Sequence, residues 1–322
     1  MTEQRIKIDR VTHASTVIDP VFLNSPQLAF DPLSRAVGCD LMLKVETLNP
    51  IRCFKGRGAD LLLGEAAAAG DRRQIICASA GNFGQAMAYS GGTRGFEVVV
   101  YAAETASPLK IARMRDLGAE VRPHGADFDT AKSEAKRIAA ESGARMVEDS
   151  KDVETAEGAG TIGLELTGVD QPSLDAVVVP LGNGALINGI ATAIKARSPK
   201  TEVIAVQADG APAMIESWRS DSFVESQSVD TIADGIAVRV PVQEALDDMR
   251  GIVDDGLLVS DAETIAAMQL IHEHAGLVAE PSGAIGVAAV ARHRDRFAGK
   301  RVATVICGSN LTREQMHTWL NT

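Results

Sequence analysis

The chain has 322 residues, of which 45% are hydrophobic and 23% charged, a composition typical of a soluble globular protein with about two domains. Its formal net charge is −11 and it has no block of Lys and Arg, which argues against a nucleic-acid-binding protein. The N-terminus lacks the apolar core of a signal peptide, and no run of about 18 apolar residues is available to span a membrane. We therefore expect a cytoplasmic protein with neither a nucleic-acid nor a membrane partner.

The pattern of cysteine and histidine residues predicts free thiols and no metal site. None of the four cysteines has the CxxC spacing of a zinc or redox motif. His272 and His274 are two residues apart, which places them on different faces of a helix and disfavours a zinc pair. A reducing compartment is the usual location of such a protein.

The N-terminal half alternates between apolar strands and amphipathic helices. The predicted helices are residues 8–14, 56–69, 85–91, 107–117 and 127–142. The predicted strands are residues 21–23, 41–43, 75–78, 97–101, 120–122 and 145–147, with a polar loop over residues 24–40. Because four strand–helix alternations follow one another within about 100 residues, we expect an open parallel sheet with right-handed crossovers.

A second series of strands and helices follows a domain boundary predicted near residues 151–155. Its predicted strands are residues 176–179, 203–207, 257–259 and 301–306. Its predicted helices are residues 158–166, 187–196, 211–222, 262–275 and 281–293. Ser260 and Glu263 have the spacing of a capping box at the start of one of these helices. Residues 223–240 are predicted to be irregular.

Lys55 lies where a strand-like segment gives way to a helix. Pro50 keeps Asn49 out of helical geometry, so the chain is interrupted shortly before the helix that follows Lys55. A lysine at such a junction can be held at the rim of a domain, and its amine can form an imine with a carbonyl compound. Taken alone, the same residues also fit a surface lysine at a helix start.

Glycine-bearing loops follow three of the apolar strands, at the strand ends where ligands bind in open α/β sheets. In the loop at residues 182–186, glycines allow close approach of the backbone, and the following helix offers free N–H groups to an anion. The loop lacks the lysine and the spacing of a P-loop, which favours a phosphate monoester over a nucleotide. A plain strand-to-helix turn explains the same residues without any ligand.

Other polar groups lie at the ends of predicted strands or the starts of helices. The loop at residues 79–82 offers a hydroxyl, an amide and backbone donors to a carboxylate, although helix capping by Ser79 or Asn82 is the simpler explanation. Cys307 ends a buried strand and fits a small buried hydrophobe as well as a ligand-binding residue. Glu280 precedes a helix, where the helix dipole alone accommodates a carboxylate.

In this order the motifs resemble those of the fold-type II pyridoxal-phosphate enzymes, in particular the serine/threonine dehydratase and serine racemase group. The resemblance extends from about residue 8 to residue 310 and rests on the segments 54–58, 79–85, 160–162, 182–186, 233–235, 280–283 and 307–310. It implies an α/β fold of two open, mostly parallel twisted sheets with helices on both faces, similar to the tryptophan synthase β-subunit. It also implies a large cofactor-binding domain (residues 1–52 and 153–322), a small substrate-side domain (residues 53–152) and a homodimer.

The resemblance implies a role for each motif. Lys55 would hold the cofactor pyridoxal 5'-phosphate as an imine and then move the substrate's Cα proton. The cofactor phosphate would accept hydrogen bonds from the backbone of Gly182, Asn183, Gly184, Ala185 and Leu186. The other cofactor-binding residues would be Phe54, Asn82 (at the phenolic oxygen), Gly235, Glu280 and Cys307 (at the pyridine nitrogen). The carboxylate of an amino-acid substrate would bind to Ser79, Ala80, Gly81, Asn82 and Phe83.

The implied activity is that of an ammonia-lyase (dehydratase), which converts a β-hydroxy amino acid such as L-threonine or L-serine to a 2-oxo acid and ammonia. A thiol is too weak an acid to keep the pyridine nitrogen protonated, which favours elimination over transamination. Ala80 stands where serine racemases carry a serine, so we expect weak racemisation or none. Gln207 and Ala213 replace acidic residues of metal-dependent relatives, so we expect no metal requirement. Phe83 replaces a histidine that is usual in threonine dehydratases and predicts a different side-chain pocket.

Two other activities fit the same motifs. One is β-elimination or β-replacement on another β-substituted amino acid, such as one derived from cysteine or hydroxyectoine. The other is a non-catalytic protein that binds pyridoxal phosphate. Turnover of a panel of β-substituted amino acids separates these possibilities, because the non-catalytic protein would bind the cofactor and turn over none of them.

Overall fold

The computed structural model describes residues 4–320 and has an α/β architecture built on two separate sheets. The strands are β1 (Gln27–Ala29), β2 (Asp40–Val45), β3 (Ile75–Ala78), β4 (Val98–Ala102), β5 (Glu120–Pro123), β6 (Arg145–Val147), β7 (Ala176–Pro180), β8 (Glu202–Ala208), β9 (Asp255–Val259) and β10 (Arg301–Ile306). One sheet has the strand order β1-β2-β10-β7-β8-β9 and the other β5-β4-β3-β6. Every neighbouring pair is parallel except β1 and β2. The predicted fold class is therefore confirmed.

Helices cover both faces of the larger sheet and of the smaller one. They are α1 (Ile8–Val17), α2 (Asp31–Val37), α3 (Gly56–Ala68), α4 (Asn82–Arg94), α5 (Pro108–Asp116), α6 (Phe128–Ser142), α7 (Val153–Leu166), α8 (Ala185–Arg197), α9 (Ala213–Ser220), α10 (Gln243–Met249), α11 (Asp261–Ala275), α12 (Pro281–Arg292), α13 (Arg294–Phe297) and α14 (Arg313–Leu320). Two short 3-10 helices span Pro20–Phe22 and Asp234–Ile236. In the large sheet, Val302 and Ile306 of β10 pack with α11 and α12, whereas Ala303 and Val305 pack with α7 and α8. This two-sided burial explains why the strands are almost continuously apolar.

Helix α7 packs against α3 on one side and against α8 on the other through glycines. A Cβ atom on Gly158 would lie 2.6 Å from the Cα atom of Gly58 in α3. A Cβ atom on Gly189 of α8 would lie 2.0 Å from a backbone oxygen of α7. These contacts require glycine and fix the start of α3, which follows Lys55, relative to the start of α8, which follows the turn at residues 182–184.

The N-terminal region differs from the sequence prediction. Residues 21–23 are not a strand, because the Asp19 carboxylate accepts a hydrogen bond from the Val21 N–H and Pro20 fixes the first turn of a 3-10 helix. The predicted loop over residues 24–40 contains β1 and α2. Helix α2 is short, and its buried Leu33 and Val37 join the core beneath the large sheet. Helices α10 and α14 were also absent from the prediction.

Candidate functional site

Lys55 lies immediately before α3, at the edge of a cavity between the two sheets. Its segment is joined to the end of β10, because Phe54 N–H donates to the Cys307 carbonyl at 3.0 Å and Cys53 forms a β-bridge with Gly308. The Lys55 Nζ atom lies 2.7 Å from Asp149 Oδ2, and each of these side chains is 15% exposed. Burial alone would lower the pKa of Lys55, but the Asp149 carboxylate outweighs this effect and the pKa is raised. The amine is therefore held as an ammonium in this state.

Residues from both sheets line this cavity together. It is a narrow slot of about 30 Å³ that joins a cleft of about 550 Å³. The predicted cofactor-binding residues that line the slot are Phe54, Lys55, Asn82, Gly182, Asn183, Gly184, Ala185, Leu186, Gly235, Glu280 and Cys307. The predicted substrate-binding residues Ser79, Ala80, Gly81, Asn82 and Phe83 line the cleft. Lys55, Asn82, Asp149, Asn183 and Gly235 line both spaces, which places the lysine amine at their junction.

The turn between β7 and α8 has the geometry of an anion site. Gly184 has φ +107°, a left-handed conformation that favours glycine, and it caps α8. The Ala185 N–H donates to Ser150 Oγ at 2.9 Å. The N–H groups of Asn183, Gly184 and Leu186 have no partner among residues 4–320. The turn thus offers three backbone donors and the positive end of a helix dipole to an anion.

Asn82 is oriented by two buried side chains. Its Nδ2 group donates to Glu280 Oε1 at 2.7 Å, and its Oδ1 atom accepts from Asn310 Nδ2 at 2.9 Å. Glu280 also accepts from the Asn310 N–H at 2.8 Å, and burial together with Asp234 raises its pKa. One hydrogen of the Asn82 amide thereby remains available to a ligand in the cavity.

Cys307 and Ser282 lie side by side on the wall of the slot. The Cys307 thiol donates to the Ser282 carbonyl at 3.3 Å, and burial and the nearby Glu280 raise its pKa well above the ordinary value. The thiol is therefore neutral. The Ser282 Oγ atom is buried and has no hydrogen-bond partner among the described residues. Such an orphaned hydroxyl in a cavity is an unused donor or acceptor for a ligand.

The loop at residues 79–83 performs the capping role and retains free donors as well. Ser79 Oγ accepts from the N–H groups of Gly81 and Gly84, at 3.1 and 2.9 Å. The N–H groups of Asn82 and Phe83, at the start of α4, have no partner among residues 4–320. The loop can therefore both cap α4 and bind a carboxylate, because the Ser79 hydroxyl caps the helix and the N–H groups of Asn82 and Phe83 are left for a ligand.

A buried network of charges lies behind Lys55. Arg57 is fully buried and forms ion pairs with Glu46 at 2.8 Å and with Glu165 at 2.6 Å. Lys44 pairs with Glu165 at 2.5 Å and donates to the Ser25 carbonyl. Two cations and two carboxylates balance each other, and Arg57 lies two residues beyond Lys55, so the network holds the first turn of α3.

Sequence reasoning did not find Asp149 and Ser150, which follow β6. Their partners Lys55 and Ala185 are 94 and 35 residues away in the chain, so no local motif connects them. The available signal was their position at the carboxyl end of a parallel strand, where ligands bind.

Gln207 and Phe83, the residues expected to bear on metal binding and on the pocket wall, lie in different parts of the molecule. Gln207 is buried, and its side-chain oxygen accepts from the Ile215 N–H at 2.8 Å, which occupies it at the start of α9. Residues 4–320 contain no cluster of three or more potential metal ligands and no helix that could cross a membrane. Phe83 and part of the irregular segment, residues 229, 234–235 and 237–240, line the cleft.

The fold and this cavity define an α/β protein in which a lysine and an anion-binding turn face one space. The sequence profile of the family described as pyridoxal-phosphate dependent enzyme matches residues 18–308. The L-threonine ammonia-lyase of Thermotoga maritima is 38% identical over 279 residues, which are 87% of this chain and 69% of that protein. Maize serine racemase superposes with a TM-score of 0.91 at 26% identity, over 97% of this chain and 96% of that one.

A further similar structure is the processed form of threonine deaminase isoform 2 from Solanum lycopersicum. It superposes with a TM-score of 0.89 at 26% identity, over 99% of this chain and 96% of that one. The chain therefore belongs to the pyridoxal-phosphate-dependent enzymes of fold type II, and the resemblance predicted from its motifs is confirmed.

The residues that line the slot match the chemistry of pyridoxal phosphate. Lys55 would supply an amine for the aldehyde, and the turn at residues 182–186 would supply donors for the phosphate. The free amide hydrogen of Asn82 would suit the phenolic oxygen. The neutral Cys307 thiol and the unpartnered Ser282 hydroxyl suit an unprotonated pyridine nitrogen.

Proposed function

We propose that this protein is a pyridoxal-phosphate-dependent ammonia-lyase that converts a β-hydroxy amino acid, L-threonine or L-serine, to a 2-oxo acid and ammonia. The observation that carries the proposal is the single cavity lined by Lys55, by the turn at residues 182–186 and by the loop at residues 79–83. An L-threonine ammonia-lyase shares 38% identity with the chain, which supports the same reaction class.

In this proposal each wall of the cavity holds one part of the cofactor. Lys55 forms the covalent link to the aldehyde, and the N–H groups of Asn183, Gly184 and Leu186 hold the phosphate. Asn82, fixed by Glu280 and Asn310, donates to the phenolic oxygen. Phe54, Gly235 and Cys307 enclose the ring. When bound, the cofactor supplies an electron sink that acidifies the substrate's Cα proton.

The substrate-side groups then act on the amino acid. The free N–H groups of Asn82 and Phe83, with the Ser79 hydroxyl, bind the carboxylate and orient the Cα–H bond toward Lys55. The substrate's amine would displace Lys55 from its link to the cofactor, and the freed Lys55 amine would then remove the Cα proton as the β-hydroxyl leaves. The enamine that is released hydrolyses to the 2-oxo acid and ammonia. Ala80 has no side chain that can move a proton, so the reaction proceeds as elimination without racemisation.

The experiment that tests the proposal is an assay of 2-oxo acid and ammonia in equal amounts from L-threonine and from L-serine. The purified protein should carry a visible absorbance band from the lysine-bound cofactor and turn over at least one of the two substrates. Lys55→Ala should lose both the band and the activity. A parent protein that keeps the band and turns over no amino acid would instead be a cofactor-binding protein without catalysis.

A second candidate activity is favoured by the size of the cleft. The slot of about 30 Å³ is too small for the whole cofactor, which would extend into the cleft of about 550 Å³. The remainder of that cleft is still larger than the side chain of serine or threonine needs. This space suits β-elimination or β-replacement on a larger β-substituted amino acid, including one derived from hydroxyectoine. A panel of such substrates, compared by kcat/KM with L-threonine, distinguishes the two candidates.

We also propose a division of the chain into a large cofactor-binding domain of residues 1–52 and 153–322 and a small domain of residues 53–152. Its support is that all four strands of the smaller sheet lie within residues 75–147. A cytoplasmic location is supported by the four cysteines, which are buried and unpaired. The proposal of a homodimer rests on the family resemblance and is tested by the mass of the protein in solution.

A further inference from the structure

Asp149 is the one carboxylate within ion-pair distance of Lys55 among the described residues. Its neighbour Glu148 lines the same cleft but pairs with Lys132 and Lys136 instead, at 3.1 and 3.0 Å. Asp149 has no other hydrogen-bond or ion-pair partner among residues 4–320. The two adjacent acids therefore have different partners. Glu148 is paired with lysines of α6, whereas Asp149 is paired with the proposed catalytic amine.

The backbone on each side of Asp149 is fixed, so the position of its carboxylate is built into the fold. Glu148 N–H donates to Asp152 Oδ2 at 2.6 Å, and Ser150 N–H donates to Thr155 Oγ1 at 3.0 Å. Ser150 has φ +69°, an uncommon conformation for a residue other than glycine. Its hydroxyl accepts from the Ala185 N–H of the anion-binding turn. The loop thus connects β6 to the start of α8 and holds Asp149 at the junction of slot and cleft.

We propose that Asp149 is a positioning residue that holds and stabilises the Lys55 ammonium after this lysine has taken the substrate's Cα proton. The inference rests on the proposed function, because it assigns to Lys55 the role of base. A carboxylate 2.7 Å from the amine makes the amine a stronger base. The same contact fixes the position and orientation of the amine. Asp149 acts through Lys55 and does not touch the reacting carbon.

In the proposed elimination one proton moves from the substrate's Cα to Lys55 and then to the departing oxygen. The Cα–H bond of the substrate breaks, and a neutral Lys55 amine gains the proton to become an ammonium paired with Asp149. The electron pair left on Cα forms the double bond to Cβ as the bond from Cβ to the hydroxyl oxygen breaks. The ammonium returns its proton to the departing oxygen, which leaves as water, and Lys55 is again neutral.

The same ion pair has the opposite effect on loading of the cofactor, and this contrast provides the test. A lysine must be neutral to attack an aldehyde, so a partner that favours the ammonium delays formation of the covalent link at neutral pH. Removing the charge in Asp149→Asn should therefore ease loading while it weakens Lys55 as a base. If the substitution merely distorted the site, it would instead impair both cofactor loading and proton abstraction by Lys55.

The experiment strips the cofactor from the protein, adds pyridoxal 5'-phosphate at saturating concentration and follows the visible band over a range of pH. In Asp149→Asn, the pH at which the rate of link formation is half-maximal should fall by about one unit or more, since an opposite charge at this distance shifts a pKa by ~1–3 units. The kcat of the same variant should fall at least tenfold at neutral pH. Asp149→Glu keeps the charge and should restore most of the turnover.

Glu148→Gln is the matched control, because it removes a carboxylate from the next residue and the same cleft without touching Lys55. Its loading midpoint should stay within about 0.3 pH units of the parent's, a difference of roughly twofold in the protonation equilibrium. An unchanged loading midpoint in Asp149→Asn, or a loss of loading and turnover together that Asp149→Glu does not rescue, overturns the role of Asp149. Failure of the parent protein to form the link at any pH overturns the proposed function itself.

Discussion

Gly189→Ala tests how the molecule brings its lysine and its anion-binding turn together. Gly189 lies in α8, and an added Cβ atom would lie 2.0 Å from the Ala156 oxygen and 2.5 Å from the Gly160 nitrogen, both backbone atoms of α7. Carbon–oxygen contacts are normally ~3.3 Å or longer, so α8 must move away from α7 by about 1 Å. The start of α8, with the turn at residues 182–184, moves with it.

Whether Gly189→Ala stabilises or destabilises the protein depends on two opposing free energies. Alanine is favoured over glycine in a helix by roughly 0.5–1 kcal/mol, whereas overpacking of a closed contact costs about 1–3 kcal/mol. Because both contacts involve backbone that cannot rotate away, the overpacking cost lies at the upper end of its range, about 3 kcal/mol, which leaves a net loss of about 2–2.5 kcal/mol. With roughly 2.1 cal/mol/K of unfolding entropy per residue over 322 residues, this loss lowers the melting temperature by about 3–4 °C.

The assay is thermal unfolding of the cofactor-free protein, combined with titration of pyridoxal 5'-phosphate. Gly92→Ala is the matched control, because Gly92 is an exposed residue of α4 whose added Cβ would lie 3.6 Å from its nearest neighbour, the Leu117 oxygen. The control should gain stability, and Gly189→Ala should lose stability and bind the cofactor more weakly. Equal stabilisation by both substitutions would refute the claim that the α7–α8 contact is closed.

Three further outcomes follow from the site. Arg57→Met leaves the buried Glu46 with no ion-pair partner among the described residues and the partly exposed Glu165 with Lys44 alone, and it should cost about 3–5 kcal/mol in urea unfolding. Arg57→Met combined with Glu46→Gln should recover part of that loss. Full stability of the single variant would contradict the network's role. Ala80→Ser places a hydroxyl on the cleft wall and should give measurable D-amino acid in a chiral assay. Complete absence of the D-amino acid would count against the role given to residue 80. Addition of a chelator should leave kcat/KM unchanged within about twofold, because the Gln207 side-chain oxygen already accepts from the Ile215 N–H and carries no charge for a cation. Loss of activity that Mg²⁺ restores would show a metal requirement.

The sequence was most informative where burial imposes a simple pattern. Strands β3, β6 and β10 were predicted with the bounds that the structure shows. In β3 and β10 the signal is a nearly continuous apolar run, as expected of strands covered on both faces. Strand β6 lies at the edge of its sheet and begins with the partly exposed Arg145. The capping box at Ser260 was also predicted and is present, since it depends only on local spacing. Helix α2 was missed because it is short and its order comes from packing of Leu33 and Val37 rather than from its own periodicity.

The same distinction applies to the site. The motifs around Lys55, Asn82 and Cys307 were found because each forms a contiguous segment at a strand end or a helix start. The contact between Lys55 and Asp149 joins segments 94 residues apart, and no pattern in either segment indicates the other. The size of the cleft depends likewise on how the two sheets are placed, which the sequence does not express locally.

The central claim is that Lys55 carries the cofactor whose phosphate lies on the turn at residues 182–186. The most direct test is reduction of the cofactor-loaded protein with borohydride, followed by tryptic digestion and mass spectrometry. We predict that the reduced cofactor is found on Lys55, in a peptide spanning residues 53–57, since the modified lysine resists cleavage. A label on a different lysine, or no label in a protein that binds the cofactor tightly, would contradict the account.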